Sequence, residues 1–188
     1  MTMKKVFFVL AVCVTVTAAY GQDKQFTKTG KINFDATVPK SPENIDAVNK
    51  SVVCVLDTKT GAMQFVVMMK GFEFDRALMM EHFNENYVES SKFPKADFKG
   101  AIVNNAAVKY TADAVYPVKV KGKLTLHGET RDVEAEGKIT VKAGKVNAVA
   151  EFEILFKDFK IEIPELVADK VSQKAKIKVD CSLDPLKQ

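Results

Sequence analysis

The chain is poor in the residue types that most catalytic and metal sites require. It has two histidines, His82 and His127, and three cysteines, Cys13, Cys54 and Cys181. No quartet of His, Cys, Asp or Glu stands at zinc-ligand spacing, no Gly-x-Ser-x-Gly elbow presents a nucleophile, and no glycine-rich loop is built to cradle phosphate. These absences weigh against an enzyme and leave no catalytic or metal residue to name. His82 and Glu85 have i, i+3 geometry that would make one edge of a metal site, but a second ligand pair is missing, so a surface or mouth-lining histidine is the plainer reading. His127 sits beside Gly128 in a hairpin turn, where a polar residue needs no special role. Glu81, Glu85 and Glu89, spaced by four, read as the solvated face of a helix.

Charge of one sign is also lacking. Lysines alternate with Glu and Asp without clustering, and phosphate-backbone binding needs a concentrated patch, so nucleic acid is excluded as a partner. No Gly/Ser/Pro-rich linker divides the sequence, and only one apolar run exceeds strand length. That run is at the front. Lys4 and Lys5 precede an apolar or small stretch from Val6 to Ala19, and Ala19-Tyr20-Gly21 has the form of a cleavage site. Residues 1–21 therefore read as a secretory signal removed before Gln22, too short to span a bilayer as a helix. A lipoprotein anchored at Cys13 is the competing reading, disfavoured because Val12 sits where a lipobox wants Gly, Ala or Ser. Residues 22–188 are then one exported domain without a transmembrane helix, periplasmic or secreted, with 26 basic against 24 acidic residues once Lys4 and Lys5 are gone. Cys54 and Cys181 remain, in a compartment that permits disulfides. On the second and eighth strands of a meander closed by the first they would stand about 10 Å apart, beyond the ~7 Å limit for bridging, so two free buried thiols are expected.

What the chain has in abundance is period-two alternation. Val118, Val120, Gly122, Leu124 and Leu126 share one parity against Lys119, Lys121, Lys123 and Thr125. After a turn, Val133, Ala135, Gly137, Ile139 and Val141 alternate with Glu134, Glu136, Lys138 and Thr140, and past residues 143–145 the set continues through Val146, Ala148, Ala150, Phe152, Ile154 and Phe156. A parity switch to Phe159, Ile161 and Ile163 predicts a bulge near Lys157 and Asp158. Further strands fall at Ile32 to Val38, at 51–57 and 62–72 around a turn, at Ala96 to Ile102, and at Ala175 to Leu183. Two segments break the pattern. Asp75 can cap a helix whose Leu78, Met79, His82 and Phe83 share a face, and Pro164 opens a short helix before the last strand. The expected fold is all-β, an eight-stranded antiparallel barrel with a short helix at one mouth; a two-sheet sandwich is the alternative, since alternation does not prove closure.

The interior positions pair small residues (Ala36, Gly100, Gly122, Ala135, Gly137, Ala148, Ala150, Ala175) with Phe34, Phe98, Phe152 and Phe156. Small residues in register would leave a lumen, walled by these rings, Phe65 and Met69; the same alternation equally interdigitates into a solid core. No charge falls on the inward parity of the cleanest strands, so a lumen would suit hydrocarbon, at about 0.8 kcal/mol per buried methylene. Two functions stay open: a carrier of a long apolar lipid, and a solid-cored module of the cell envelope that binds another exported protein and no small molecule. If the lumen is hollow, Gly122→Phe is expected to fill it and abolish binding while the barrel still folds.

Three segments carry a family resemblance: HFNENYVESSKFPKADFKG at 82–100, GKLTLHGETRDV at 122–133 and LFKDFKIEIP at 155–164. In order and spacing they resemble the YceI-like family, with its Phe/Tyr-Pro-x-Ala-x-Phe strand opening, its Gly-x-Leu-Thr-x-x-Gly-x-Thr-Arg/Lys-x-Val hairpin and its Lys-Asp-Phe/Tyr-x-Ile segment. The chain departs from that pattern at its front, where residues 31–36 and then 39–49 replace an aromatic and His-Ser/Thr opening. The resemblance implies a lipocalin-like periplasmic barrel enclosing a polyisoprenoid or quinone-like lipid and no other cofactor, and a homodimer. It places Phe83, Phe93, Phe98, Leu124, Leu126, Phe156 and Phe159 in the apolar interior and mouth, with Leu78, Met79 and Phe83 gating it.

Overall fold

The computed structural model describes residues 23–186 apart from 40 and 42. The expected signal sequence and Cys13 lie outside the described residues.

The alternating segments become strands β1 (Lys24–Thr37), β2 (Asp46–Asp57), β3 (Ala62–Met68), β4 (Phe72–Phe74), β5 (Lys95–Ile102), β6 (Ala114–Leu126), β7 (Glu129–Lys142), β8 (Lys145–Leu155) and β9 (Val171–Pro185). All pairings are antiparallel, and β1 pairs with both β2 and β9, which closes the sheet and rules out the sandwich. The nine strands make eight staves. Strands β3 and β4 both pair with β2, and a single 3-10 turn at Met69–Gly71 interrupts what would be one strand. The break is held from behind by Asn49, fully buried, whose side-chain amide donates to the Met68 carbonyl at 2.9 Å.

Turn chemistry sets the register. The two-residue turns at His127–Gly128 and Ala143–Gly144 have both φ angles positive, the mirror-image turns whose twist matches that of the flanking strands. Outside, Lys121 meets Glu134 at 2.6 Å and Lys123 meets Asp132 at 2.9 Å across β6 and β7, and Lys174 meets Glu153 at 2.7 Å across β8 and β9. Exposed pairs like these contribute at most about 1 kcal/mol each, and favour the correct register over a slipped one.

Three local expectations change. The parity switch after Phe156 is not a bulge: β8 ends at Leu155, a 3-10 turn runs over Phe156–Phe159, and Lys160 takes a left-handed φ of 54°. Asp75 does not cap the helix; Arg76 stands at that position without a side-chain cap, and α1 (Ala77–His82) passes directly into a wider π turn at Phe83–Tyr87. The segment after Pro164 is a single 3-10 turn, Glu165–Val167.

The connections at 38–45, 75–94, 127–128 and 156–170 gather at one end of the barrel, and those at 58–61, 103–113 and 143–144 at the other. The core follows the same division. Leu56, Met63, Ile102, Ile139, Val146 and Leu183 fill the second end with aliphatic side chains. The helix end is aromatic, with Phe34 at 5.6–6.3 Å from the rings of Phe72, Phe74, Phe83 and Phe156.

Candidate ligand cavity

Between these two clusters the barrel is hollow. A cavity of about 410 Å³ runs from a floor at Met63, Ile102, Val118 and Ile139 up to the helix end, where it opens. That volume lies in the range of small-molecule sites. The upper half of the interior is therefore not the solid core that the alternation also permits.

Of the residues expected to meet a ligand, Phe34, Phe65, Met69, Leu78, Met79, Phe83, Phe98, Leu124, Leu126, Ala150, Phe152 and Phe156 line this cavity. Gly122 and Phe159 do not. Gly122 has the inward parity, but the Phe98 ring lies over it: a Cβ built there would stand 2.6 Å from Phe98 Cζ and 2.5 Å from the Lys99 carbonyl oxygen. Gly100, its partner in register, is covered by the same ring. These glycines seat an aromatic side chain in the wall and open no lumen. Phe159 is buried in the 3-10 turn that follows β8 and does not reach the cavity. The lumen comes from the alanines: Ala36, Ala96, Ala135, Ala148 and Ala150 all face it.

Sequence periodicity missed the rim, because it is made by loops. Glu43 in the β1–β2 connection and Arg76 before α1 form an ion pair at 2.6 Å, and with His82, Tyr87 and Lys170 they place all but one of the polar side chains around the mouth. The pair is about half exposed, so it ties two loops loosely across the opening. His82 stands in this rim, as the plainer reading has it, and no cluster of three metal-ligating groups exists among the described residues.

His127 has a larger role than a turn residue. Its Nδ1 donates to the Phe159 carbonyl at 2.9 Å, its Nε2 meets Glu89 Oε2 at 2.8 Å, and the Phe93 ring stands edge-on at 4.5 Å. Gly128 makes room for that ring: a Cβ there would be 2.8 Å from Phe93. Glu89, read as part of a solvated helix face, instead takes a φ of 44° past the end of the helix and reaches the imidazole. The three segments singled out in the sequence, 82–100, 122–133 and 155–164, thus meet at one imidazole that pins the helix connection and the β8 exit turn to the β6–β7 hairpin. His127→Ala is expected to strand the Phe159 carbonyl and lower the melting temperature by about 5 °C, from ~1–3 kcal/mol for an orphaned buried acceptor. Glu89→Gln, whose amide still reaches the ring, should lose much less in the same thermal melt.

The fold and cavity have relatives. A polyisoprenoid binding domain from Saccharophagus degradans, implicated in plant cell wall breakdown, superposes with a TM-score of 0.74 at 12% identity, covering 87% of this chain and 99% of that one. Burkholderia cenocepacia BcnA gives 0.66 at 15% identity over 82% and 96% of the two chains, and a Campylobacter jejuni YCEI protein 0.57 at 15% over 80% and 90%. At such identities these likenesses speak for the fold alone. A search of the curated proteins gives no match. The YceI-like domain model, however, matches residues 14–183, which takes in all the strands but the last two residues of β9. On that match the chain belongs to the YceI-like family.

Proposed function

We propose that this protein is an exported, non-enzymatic carrier of one long apolar lipid, a polyisoprenoid chain or a quinone that bears one, held in the barrel with its polar end at the rim. The observation that carries the reading is the cavity: its walls are Phe, Met, Ile, Val, Leu and Ala, and its polar groups stand at the mouth apart from Lys138. Such a space rejects a charged or hydrogen-bonding substrate, whose polar groups would find no partner, and accepts hydrocarbon. A structural neighbour described as a polyisoprenoid binding domain supports the same class of ligand. Periplasmic or secreted location rests on the signal-like front of the sequence and on the family. A homodimer belongs to the same reading and is checked by sedimentation.

The test is extraction of the purified protein into organic solvent followed by mass spectrometry. A co-purified isoprenoid or quinone is expected, with uptake of a long isoprenoid by the extracted protein. Neither bound lipid nor uptake would sink the proposal.

A further inference from the structure

We infer that the lipid enters and leaves this barrel sideways, through a window in the wall between β7 and β8, and not past the ion-paired mouth. The inference rests on the carrier reading. The β7–β8 ladder runs from Lys142 opposite Lys145 to Glu136 opposite Glu151, and no pair beyond that rung forms among the described residues. Both strands nevertheless continue. Residues 129–135 stay paired with β6, and 152–155 with β9. Extended in register, the ladder would set Ala135 against Phe152 and Asp132 against Leu155; those rungs, roughly 13 Å of strand, are missing. The backbone groups they would have joined are left to water.

The cavity reaches through this gap. Every strand residue that lines it has inward parity except Lys138 and Val149, which stand opposite each other in the ladder just below the window. An outward-facing pair can border a lumen only where the lumen opens through the wall. Val133, Ala135 and Phe152, inward on either side of the gap, are half-buried, whereas Ile139, Val141 and Val146 lower on the same strands are buried. The mouth is more firmly roofed. Phe83 is buried there, 5.0–5.6 Å from the rings of Phe34, Phe72 and Phe74, and passage has to part that cluster. The window has no ladder to break, and its upper end lies at the helix end, so a chain that enters sideways leaves its polar end at the rim.

The residues around the window keep it open. Glu136 and Glu151 are like charges directly opposite in the last rung, which weakens pairing, and each meets a lysine on the strand behind it, Lys119 at 3.8 Å and Lys178 at 3.1 Å. Above, the turn at Phe156–Phe159 packs against β7, with the Phe159 carbonyl held by His127 and Lys160 meeting Glu129 at 2.6 Å. Below, Gly137 lets the two strands close, since a Cβ there would collide with the Val149 carbonyl. The acidic outer lips disfavour an anionic lipid and suit a neutral isoprenoid.

The experiment uses the full chain with Cys13→Ser, Asp132→Cys and Leu155→Cys, extracted free of lipid and joined across the window by a short bis-maleimide. Both positions are exposed, and Cys54 and Cys181, free but buried, stay unmodified by intact mass. Maleimides attached singly at both positions crowd the same opening and are scored alike. Stopped-flow fluorescence with all-trans retinol, a neutral isoprenoid, reads the rates. Closing the window is expected to slow association and dissociation together, by about tenfold or more, with their ratio kept, while the same linker between Glu43→Cys and Arg76→Cys across the mouth changes them less than about twofold. Unchanged rates with the window linked, or a larger slowing from the mouth linkage, would overturn the window and leave the carrier reading intact. No retinol binding by the unlinked protein would remove both. A dimer that shields the two new cysteines from the maleimide would put a second copy at the free strand edges and equally defeat the inference.

Discussion

Ala150→Phe is expected to weaken binding of a long isoprenoid about 100-fold while leaving the barrel folded. Ala150 lies on β8 and faces the lumen, opposite Gly137 and between Ala148 and Phe152. Its neighbours are small, so a ring has space to enter without displacing backbone. The space it enters is the ligand's. Displacing about four methylenes from the cavity, at ~0.8 kcal/mol each, removes roughly 3 kcal/mol of binding and gives the stated factor. The ring buries its own apolar surface, so the melting temperature of the empty protein should hold or rise. Fluorescence displacement of a bound polyene reads the affinity, and circular dichroism reads the fold. Glu153→Gln, on the outer face of the same strand, serves as the control with no change expected. Unchanged affinity in Ala150→Phe would place the lipid outside the lumen.

Period-two alternation made most of the staves readable, because one face of every strand meets the core and the other meets water. Closure was not readable in that way. It depends on β1 pairing with β2 and β9 at once, and an alternating strand looks the same at an open edge as in a closed ring. The break at Met69–Gly71 was hidden for a related reason: Met69 is still buried and keeps the pattern, while the turn depends on Asn49 from another strand. Of the twelve lining residues, those on the strands were readable as inward-facing apolar positions and Leu78, Met79 and Phe83 as one face of a helix, while Glu43, Arg76 and Lys170 of the rim were not, since they sit on connections with no period. His127 and Glu89 were misread because their partners lie 32 and 38 residues away in sequence. A signal was present: the family motifs kept a Phe-Pro and the hairpin glycine together in one chain, and the structure sets Phe93 edge-on to His127 and against Gly128.

Gly122→Phe is expected to yield no folded barrel, contrary to the reading in which an inward glycine marks empty space. Inward parity says only which face a side chain would take, and the cost of adding one depends on what already occupies that face. At Gly122 the occupants are backbone and ring: a Cβ meets the Lys99 carbonyl oxygen at 2.5 Å, Gly100 Cα at 2.6 Å and Phe98 Cζ at 2.6 Å. The Phe98 contact could relax by a rotation of the ring. The other two could not, because β5 and β6 are held at hydrogen-bonding distance by their own ladder, and Gly100 lies directly opposite Gly122 in it. Even Gly122→Ala should therefore lose about 3 kcal/mol, the upper end of overpacking penalties, and melt about 10 °C lower. The double variant Phe98→Ala with Gly122→Ala separates the two contributions. Failure to recover stability places the strain in the β5–β6 backbone, and full recovery would place it in the ring. A Gly122→Phe protein with native strand content that had lost only lipid binding would mean that Phe98 swings clear and that the two strands part more easily than their ladder implies.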